Sequence, residues 1–565
     1  MALVSNNFQT SVDEMPDDIL LHIFSLNTNM ADDDCEPHYR ALYVTRCTSQ
    51  VSRRWRILTL GSPMIWANLI DLEIFRTNTA KDWREEVLRR SGTSLLSVKV
   101  HGDWRAVKNE LLLSFLDKYW DRIQTLNIHF SGLKGSFDGD AWLNILCRPS
   151  PLFRSFDFRI GAEQFYELLP DHTKSNILSS SHAPSNLEFH KSAIPTFMPV
   201  PWLSQLGVLE LNFKDRNHWI YINVAHILSR LEGMNALGHL IIHLGNIKWS
   251  VNDRAERIRL VDLPSLRLMD ITSPDSKQCA LLLENIVPQQ GCSLFLNAYS
   301  LYYDDHPYIP AGLIAQYSNN YFNFGGIVPR SIEFRFLNRI FQFAAYVESW
   351  SFTPFDISGY GYSQPNYLDR ANKSRCPDPD FNIEIMDPSL SAVDLRLTSL
   401  NPIILSIPVA ALRLVTAFKL FTSEGYLTKQ KVDSMVFIQL MESLTSVETL
   451  ATTTNSLIEL TVLGIGHSTL PSLRTLTMMD SLNDKGKEEY AIHPIILEFL
   501  QLRAEAGLPI EVFDVRTVDE DPHWRKISLQ CLEVMSGLKV VWRGDEEICE
   551  YVCGTGNPGV LDFIV

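Results

Sequence analysis

Between Met15 and Trp66 the apolar positions fall at helical spacing. In MPDDILLHIF, Ile19, Leu20, Ile23 and Phe24 make one broad apolar face. Pro16 stands where a first helical turn tolerates proline, and Asp17 and Asp18 lie beside the positive end of the helix dipole. Val44, Cys47, Val51, Trp55 and Leu58 then follow steps of 3, 4, 4 and 3, which predicts a second helix whose other face carries Arg53, Arg54 and Arg56. Gly61-Ser62-Pro63 breaks it, and Met64, Ile65 and Trp66 open a third apolar segment. Three helices in about fifty residues present more apolar surface than so small a bundle can bury alone, which implies a partner.

After a further helical pattern around Trp83, Val87 and Leu88, with Gly92 as its stop, the rhythm changes. An apolar triplet φ-x-x-φ-x-φ appears at Leu95/Val98/Val100, Ile123/Leu126/Ile128, Phe153/Phe156/Phe158, Leu206/Leu209/Leu211, Leu237/Leu240/Ile242 and Leu266/Met269/Ile271. Partial copies stand at Leu187/Phe189 and Leu294/Leu296. Successive middle positions are 28, 30, 31, 22, 31, 29 and 25 residues apart, the slack period of stacked supersecondary units. The last two triplet positions are two apart, as in a strand with one buried face. Between triplets, Val224, Ile227, Leu228 and Leu231 keep helical spacing, so each unit reads as a strand plus a helical or irregular return. LPSLRLMDIT (263–272) and LPSLRTLTMMD (470–480) match closely enough to point to internal duplication. The rhythm weakens between them: Ala392/Leu395/Leu397, Val447/Leu450 and Leu457/Leu460/Val462 are irregularly spaced strand candidates, and the Pro-, Gly- and Tyr-rich segment near 355–385 reads as a loop insertion.

Composition narrows the class. The 565 residues are 45% hydrophobic and 21% charged, which argues for a folded chain, and the net charge of −16 opposes a phosphate backbone, so no nucleic-acid partner is expected. Nine scattered cysteines read as free thiols of a reducing compartment. No secretory signal is visible, and no apolar run reaches the ~20 residues of a spanning helix, so no membrane is expected and the location is read as cytoplasmic, nuclear or both.

The stretch MPDDILLHIF followed by VSRRWRILTLGSPMIW resembles the F-box, and the period near 28 with L-x-x-L-x-L strands resembles leucine-rich repeats. The combination is similar to the divergent F-box/leucine-rich-repeat proteins of mushroom-forming fungi. Met15 and Ser52 replace the usual leucine and cysteine, the insertion at 27–40 is long, and the repeats lack the turn-closing Asn or Cys of typical units. The resemblance implies an α/β chain: a flexible tail at 1–12, a small all-α three-helix F-box at 13–72, a linker helix at 73–92, an irregular leucine-rich-repeat α/β solenoid at 93–545 and a C-terminal tail at 546–565. It also implies that the F-box docks on a Skp-type adaptor, and through it a cullin, while the repeats bind a protein substrate in an SCF-type cullin-RING E3 ubiquitin ligase. Carried onto this chain, the adaptor contacts are Pro16, Ile19, Leu20, Ile23, Phe24, Val51, Trp55, Leu58 and Trp66. An internal role in holding the helices together stays open for some of them.

Chemistry for catalysis is thin, and the chain reads as a non-catalytic subunit without cofactor or metal. GTGNPG (554–559) has the glycine spacing of a dinucleotide loop but no helix or strand to complete it. His239 and His243 on one strand would stand roughly 13 Å apart, too far to share a metal. Cys531, Cys549 and Cys553 lack the paired spacing of a zinc site. With the triplets as strands of a solenoid, the x positions form the concave face. Thr125, Asn127, Ser155, Asp157, Glu210, His239, Ile241, His243 and Asp270 are then the candidate substrate contacts, or a passive solvated surface. The alternative function is a repeat scaffold without a ligase role.

Overall fold

The computed structural model describes residues 12, 15–30, 40–74, 81–102, 109–130, 144–145, 148, 152, 154–160, 189–192, 206–212, 224–244, 259–273, 276–299, 311–324, 328–337, 340–347, 381–386, 401–422, 434–465, 469–479, 493–516, 527–543 and 547–563. The protein is mixed α/β with mostly parallel strands. It divides into two compact units, Met1–Ser265 and Leu266–Val565.

The first unit opens with α1 (Asp17–Leu26), α2 (Ala41–Val51), α3 (Arg53–Gly61) and α4 (Pro63–Ala67). This head holds four helices where the periodicity gives three. The run from Val44 to Leu58 is broken at Ser52, whose backbone is extended (φ −148°, ψ 166°). Its hydroxyl accepts from the Trp55 amide at 3.1 Å and so caps α3. A serine at that place offers the backbone a bond that competes with continuing the helix, and periodicity alone does not register it.

The head runs directly into a sheet. β1 (Ile70–Asp71) pairs in parallel with β2 (Leu96–Gly102), in register Ile70↔Val98 and Asp71↔Lys99. The buried Lys99 ammonium donates to the Met30 carbonyl at 2.7 Å, tying β2 to the segment after α1. The helical pattern around Trp83, Val87 and Leu88 falls on α5 (Lys81–Ser91), which packs on α4 and stops at Gly92 with φ +52°. β3 (Ile123–Phe130) follows α6 (Asn109–Tyr119), and β4 (Ser155–Ile160), β5 (Phe189–Ser192) and β6 (Val208–Asn212) continue the sheet. After α7 (Val224–Leu231) come β7 (His239–His243) and β8 (Val261–Leu263). From β1 to β7 every neighbouring pair is parallel and in chain order. The triplet residues explain it: Val98, Val100, Leu126, Ile128, Leu209, Leu211, Leu240 and Ile242 are buried, one row per strand, and α7 buries Val224, Ile227, Leu228 and Leu231.

In the second unit, β9 (Leu268–Ser273), α8 (Ser276–Asn285), β10 (Ile286–Pro288) and β11 (Ser293–Tyr299) continue the same plan, with β9 parallel to β11. Chain order then fails. After α9 (Ala311–Phe324), β12 (Ser331–Leu337) and β13 (Ile340–Tyr346) form an antiparallel hairpin, and β14 (Phe381–Met386) slots between β13 and β11. The spatial order is therefore β9-β11-β14-β13-β12. β14 begins inside the segment read as a loop insertion, the rest of which, at 355–380, lies outside the described residues, as do Ala392, Leu395 and Leu397. Aromatic pairs hold the rearranged strands together: Phe334 stacks on Phe343 at 4.8 Å, and Tyr321 of α9 meets Phe381 at 4.9 Å.

The parallel plan resumes from β12 to β15 (Ala417–Thr422), which follows α10 (Asn401–Leu405) and α11 (Val409–Leu412). Beyond α12 (Ser434–Ser443) lie β16 (Thr449–Thr452), α13 (Thr454–Val462), β17 (Thr475–Met478), α14 (Pro494–Glu505) and β18 (Val512–Asp514). The strand expected at Leu457/Leu460/Val462 is α13 instead. Leu457 and Leu460 are three apart on its buried side and Val462 is exposed, a spacing that a helix satisfies and an alternating strand does not. β19 (Ile527–Ser528) pairs with β22 (Asp562–Phe563), and β20 (Lys539–Arg543), parallel to β18, makes an antiparallel pair with β21 (Ile548–Val552).

One backbone device recurs in both units. A carbonyl just before one strand accepts two successive amides where the next strand begins. Gly207 takes Gly238 and His239 at 2.7 and 3.0 Å, and Thr416 takes Glu448 and Thr449 at 2.8 and 3.2 Å. Glu448 then takes Arg474 and Thr475 at 2.9 Å each, and Arg474 takes Glu511 and Val512 at 2.8 and 3.0 Å. Because the acceptor is main chain, the bond places no demand on which side chain stands there. In the two LPSLR phrases, Arg474 supplies such a carbonyl while that of Arg267 accepts a single amide, from Ser293 at 2.8 Å, and Leu266 and Leu473 are buried beside them. In the second copy Leu470 has φ +54°, and the buried Arg503 guanidinium donates to the carbonyls of Thr469 and Leu470 at 2.9 and 3.0 Å.

Candidate functional site: the solvent face of the helical head

The head has a core of its own. Leu20, Phe24, Ile65 and Trp66 are buried, and Phe24 meets Trp55 ring to ring at 5.0 Å. Trp66, only 1% exposed, donates through Nε1 to the Thr59 carbonyl at 2.8 Å. It sits edge-on to Trp83 of α5 at 6.1 Å, and the Arg90 guanidinium lies 4.8 Å from its ring. Arg54 of α3 reaches back to the start of α1, donating through Nε to Asp17 at 2.9 Å and through Nη2 to the Met15 carbonyl.

With that core filled, several large apolar side chains still face solvent. Ile19, Ile23 and Leu26 line one side of α1 at steps of four and three. Tyr43 and Val51 stand on α2, Ile57 and Leu60 on α3, and Met64 on α4. Val51 and Ile57 are 64% and 62% exposed, among the highest values for aliphatic residues that the structure describes. A continued apolar face on helices that already have their inner contacts makes this the candidate interaction surface of the head.

The sequence-derived adaptor residues therefore fall into two groups. Pro16, Ile19, Ile23 and Val51 are exposed, and Trp55 and Leu58 are half-buried. Leu20, Phe24 and Trp66 are inside the head, where they hold the helices in place. Leu26, Ile57, Leu60 and Met64 join the exposed group, beyond the residues that the resemblance marks. Leu26 is legible in the sequence as the i+7 continuation of Ile19. Ile57 and Leu60 are hidden there by the unbroken helix, whose apolar stripe runs through Val51, Trp55 and Leu58.

The strand positions read as a substrate face are less open than an exposed sheet surface. Thr125, Asn127, Ser155 and Ile241 are half-buried and His239 is exposed, whereas Glu210, His243 and Asp270 are buried. Cross-strand register brings Thr125 to Ser155, Asn127 to Asp157 and Glu210 to Ile241, so those residues do lie in common rows. The Asp157 side chain lies outside the described residues, and Asp270 belongs to the second unit, beside Phe295 in register. In that unit the same kind of position is filled by a buried ionic cluster. Glu333, 1% exposed, is held by Arg335, by the Lys419 ammonium at 3.9 Å and by the Tyr346 hydroxyl at 3.4 Å, and Arg335 also lies over the Phe421 ring at 4.9 Å. β15 is buried on both faces as a result.

GTGNPG is a turn folded around the protein's own carboxylate. The Gly556 amide donates to Glu533 Oε1 at 2.9 Å and the Tyr551 hydroxyl to Oε2 at 3.0 Å. The amide of Gly556 holds the Glu533 carboxyl below the usual range, helped by that of Gly554 and by Tyr551. Among the described residues no group of three or more His, Cys, Asp or Glu is placed to hold a metal ion, and no helix is long and apolar enough to cross a membrane. Cys47, Cys279, Cys292, Cys531, Cys549 and Cys553 are free thiols.

No protein-family model matches the chain, and no curated protein matches it.

Proposed function

We propose that the chain is the substrate-recognition subunit of an SCF-type cullin-RING E3 ubiquitin ligase. In this reading the head is an F-box that docks on a Skp-type adaptor and thereby on a cullin, and the strand–helix units are divergent leucine-rich repeats that take a protein substrate. The chain carries no catalytic step itself and works in the cytoplasm, the nucleus or both. The observation that carries the reading is the exposed row Ile19, Ile23 and Leu26, with Val51, Ile57 and Leu60, on a head whose own core is complete. Interfaces draw their affinity from such aliphatic and aromatic anchors once they are desolvated. The direct joining of the head to the sheet through β1 and Lys99 fits a subunit that must hold a docked end in fixed relation to its first repeats.

The test is affinity purification of the intact chain from cells that express it, with probing for the Skp-type adaptor and the cullin. Wild type carries both, and Ile19→Glu with Ile23→Glu loses both while remaining folded. Absence of the adaptor from the wild-type sample removes the ligase reading and leaves a repeat scaffold.

A further inference from the structure

Among the described residues β21 has a strand on one side only, β20. Which of its main-chain groups are taken follows from the alternation of an antiparallel ladder. On β20 the Lys539 amide donates to the Glu511 carbonyl at 2.9 Å and the Val541 carbonyl accepts from Val515 at 2.8 Å, so both residues face β18. Val540 and Trp542 therefore face β21, opposite Tyr551 and Cys549. A bulge closes the pair, where the Cys553 amide donates to Leu538 at 2.8 Å and its carbonyl accepts from Gly537 at 2.9 Å. Ile548, Glu550 and Val552 are left with amides and carbonyls turned away from β20. The Val552 carbonyl accepts from the Thr555 hydroxyl at 2.9 Å, in keeping with that direction. The other outward groups meet no main-chain partner among the described residues.

Side chains of the same three residues are open as well. Ile548 is 63% and Val552 43% exposed, and Glu550 is exposed between them. The opposite face of the strand is closed, with Cys553 buried and the Tyr551 hydroxyl bonded to Glu533. Those contacts hold the edge in place before anything binds, which lowers the ordering cost of adding a strand. An exposed edge invites pairing with a second copy of itself, and charge is what opposes it. Here Glu550 stands mid-strand, in contact with Lys539 on the inner side, and Glu547 is exposed just before the strand. An antiparallel copy centred on β21 brings two Glu550 carboxylates face to face, and like charges directly opposite are destabilising. The same carboxylate favours a basic strand, which the net charge of −16 also attracts at long range. We propose that the outer edge of β21 takes an extended basic segment of a partner protein as an added strand, with a lysine or arginine opposite Glu550 and aliphatic residues opposite Ile548 and Val552. Backbone bonds supply the affinity, and the apolar–basic–apolar alternation supplies the selectivity. The proposal is independent of the adaptor reading of the head.

The full-length protein is titrated with a fluorescent synthetic peptide whose one face reads valine, lysine, valine, with threonines between, and binding is followed by anisotropy. Wild type binds it saturably, and Glu550→Lys weakens binding by about tenfold or more. Val552→Pro removes an outward amide, leaves the bonds to β20 intact and also weakens binding. Two peptides N-methylated on alternate amides keep the test independent of how the variants fold. One set of amides faces β21 and the other faces solvent, so one methylated peptide binds and the other does not. Equal binding of the two methylated peptides overturns the proposal, as does equal binding of a peptide with glutamate in place of lysine. Absence of saturable binding to wild type overturns it too. Sedimentation of the protein alone supplies the last outcome: a wild-type dimer that Val552→Pro abolishes means that the edge takes a second copy of the chain, and the basic-partner proposal falls.

Discussion

Replacing Trp66 with alanine separates core from contact surface in the head. The side chain is 1% exposed, bonded to the Thr59 carbonyl, edge-on to Trp83 and beneath Arg90. A buried Trp→Ala change costs roughly 3–5 kcal/mol, a figure that already contains the hydrogen bond and the ring contact. Set against a domain stability of about 5–15 kcal/mol, the loss is large enough to open the head under native conditions. Val51→Ala is the control: at 64% exposure it shifts stability by no more than about 0.5 kcal/mol. Native-state hydrogen exchange on the full chain, read in peptides covering 41–71 and 81–100, measures both. Trp66→Ala accelerates exchange in both peptides, because α4 and α5 share this side chain, and Val51→Ala leaves them at wild-type rates. Trp66→Phe gives a smaller acceleration confined to the lost bond at Thr59. A Trp66→Ala protein within about 1 kcal/mol of wild type would refute the division of the head into buried supports and exposed anchors.

Three further outcomes follow from the same structure. Ser52→Ala removes the cap of α3, leaves the Trp55 amide without that acceptor and costs about 1 kcal/mol by denaturant titration; an unchanged midpoint would mean that the break between α2 and α3 has another cause. Burial pushes the Asp71 carboxyl above its ordinary value of 3.8, so the stability it contributes is fully present below that value and is lost as pH rises through the raised pKa. Asp71→Asn, which keeps an acceptor for the Glu73 and Ile74 amides, therefore gains on wild type as pH climbs through that window, and a difference constant with pH would contradict it. Gly554 has φ +83°, and a Cβ there would stand 2.7 Å from the Ser536 hydroxyl, so Gly554→Ala costs about 1–3 kcal/mol, whereas Gly559→Ala, with open space around it, is near neutral in thermal melts.

What is legible in the sequence is what is local. A strand with one buried face leaves apolar residues two apart whatever its neighbours are, so Leu126/Ile128, Leu209/Leu211 and Leu240/Ile242 declare themselves by spacing alone. Gly92 reads as a helix stop because its positive φ favours glycine. The order β11-β14-β13-β12 has no such signature. Phe334 and Phe343 alternate correctly in any strand, and nothing local says that β14 returns to lie beside β11. The head shows the same boundary. Ile19, Leu20, Ile23 and Phe24 declare one apolar face, yet Leu20 and Phe24 are taken up by the core while Ile19 and Ile23 are left for solvent. That partition depends on where α3 and α4 lie, and their placement depends on the Ser52 break and the Arg54–Asp17 bond, neither of which leaves a periodic trace.

In the proposed reading the exposed apolar row of the head docks on a Skp-type adaptor. Isothermal titration of the purified full-length chain with purified adaptor tests it most directly, using wild type and the Ile19→Glu, Ile23→Glu double variant in parallel. Wild type is expected to form a saturable one-to-one complex and the double variant to give no heat of binding, with both proteins melting at the same temperature. A wild-type chain that gives no complex, or a double variant that binds as wild type does, contradicts it.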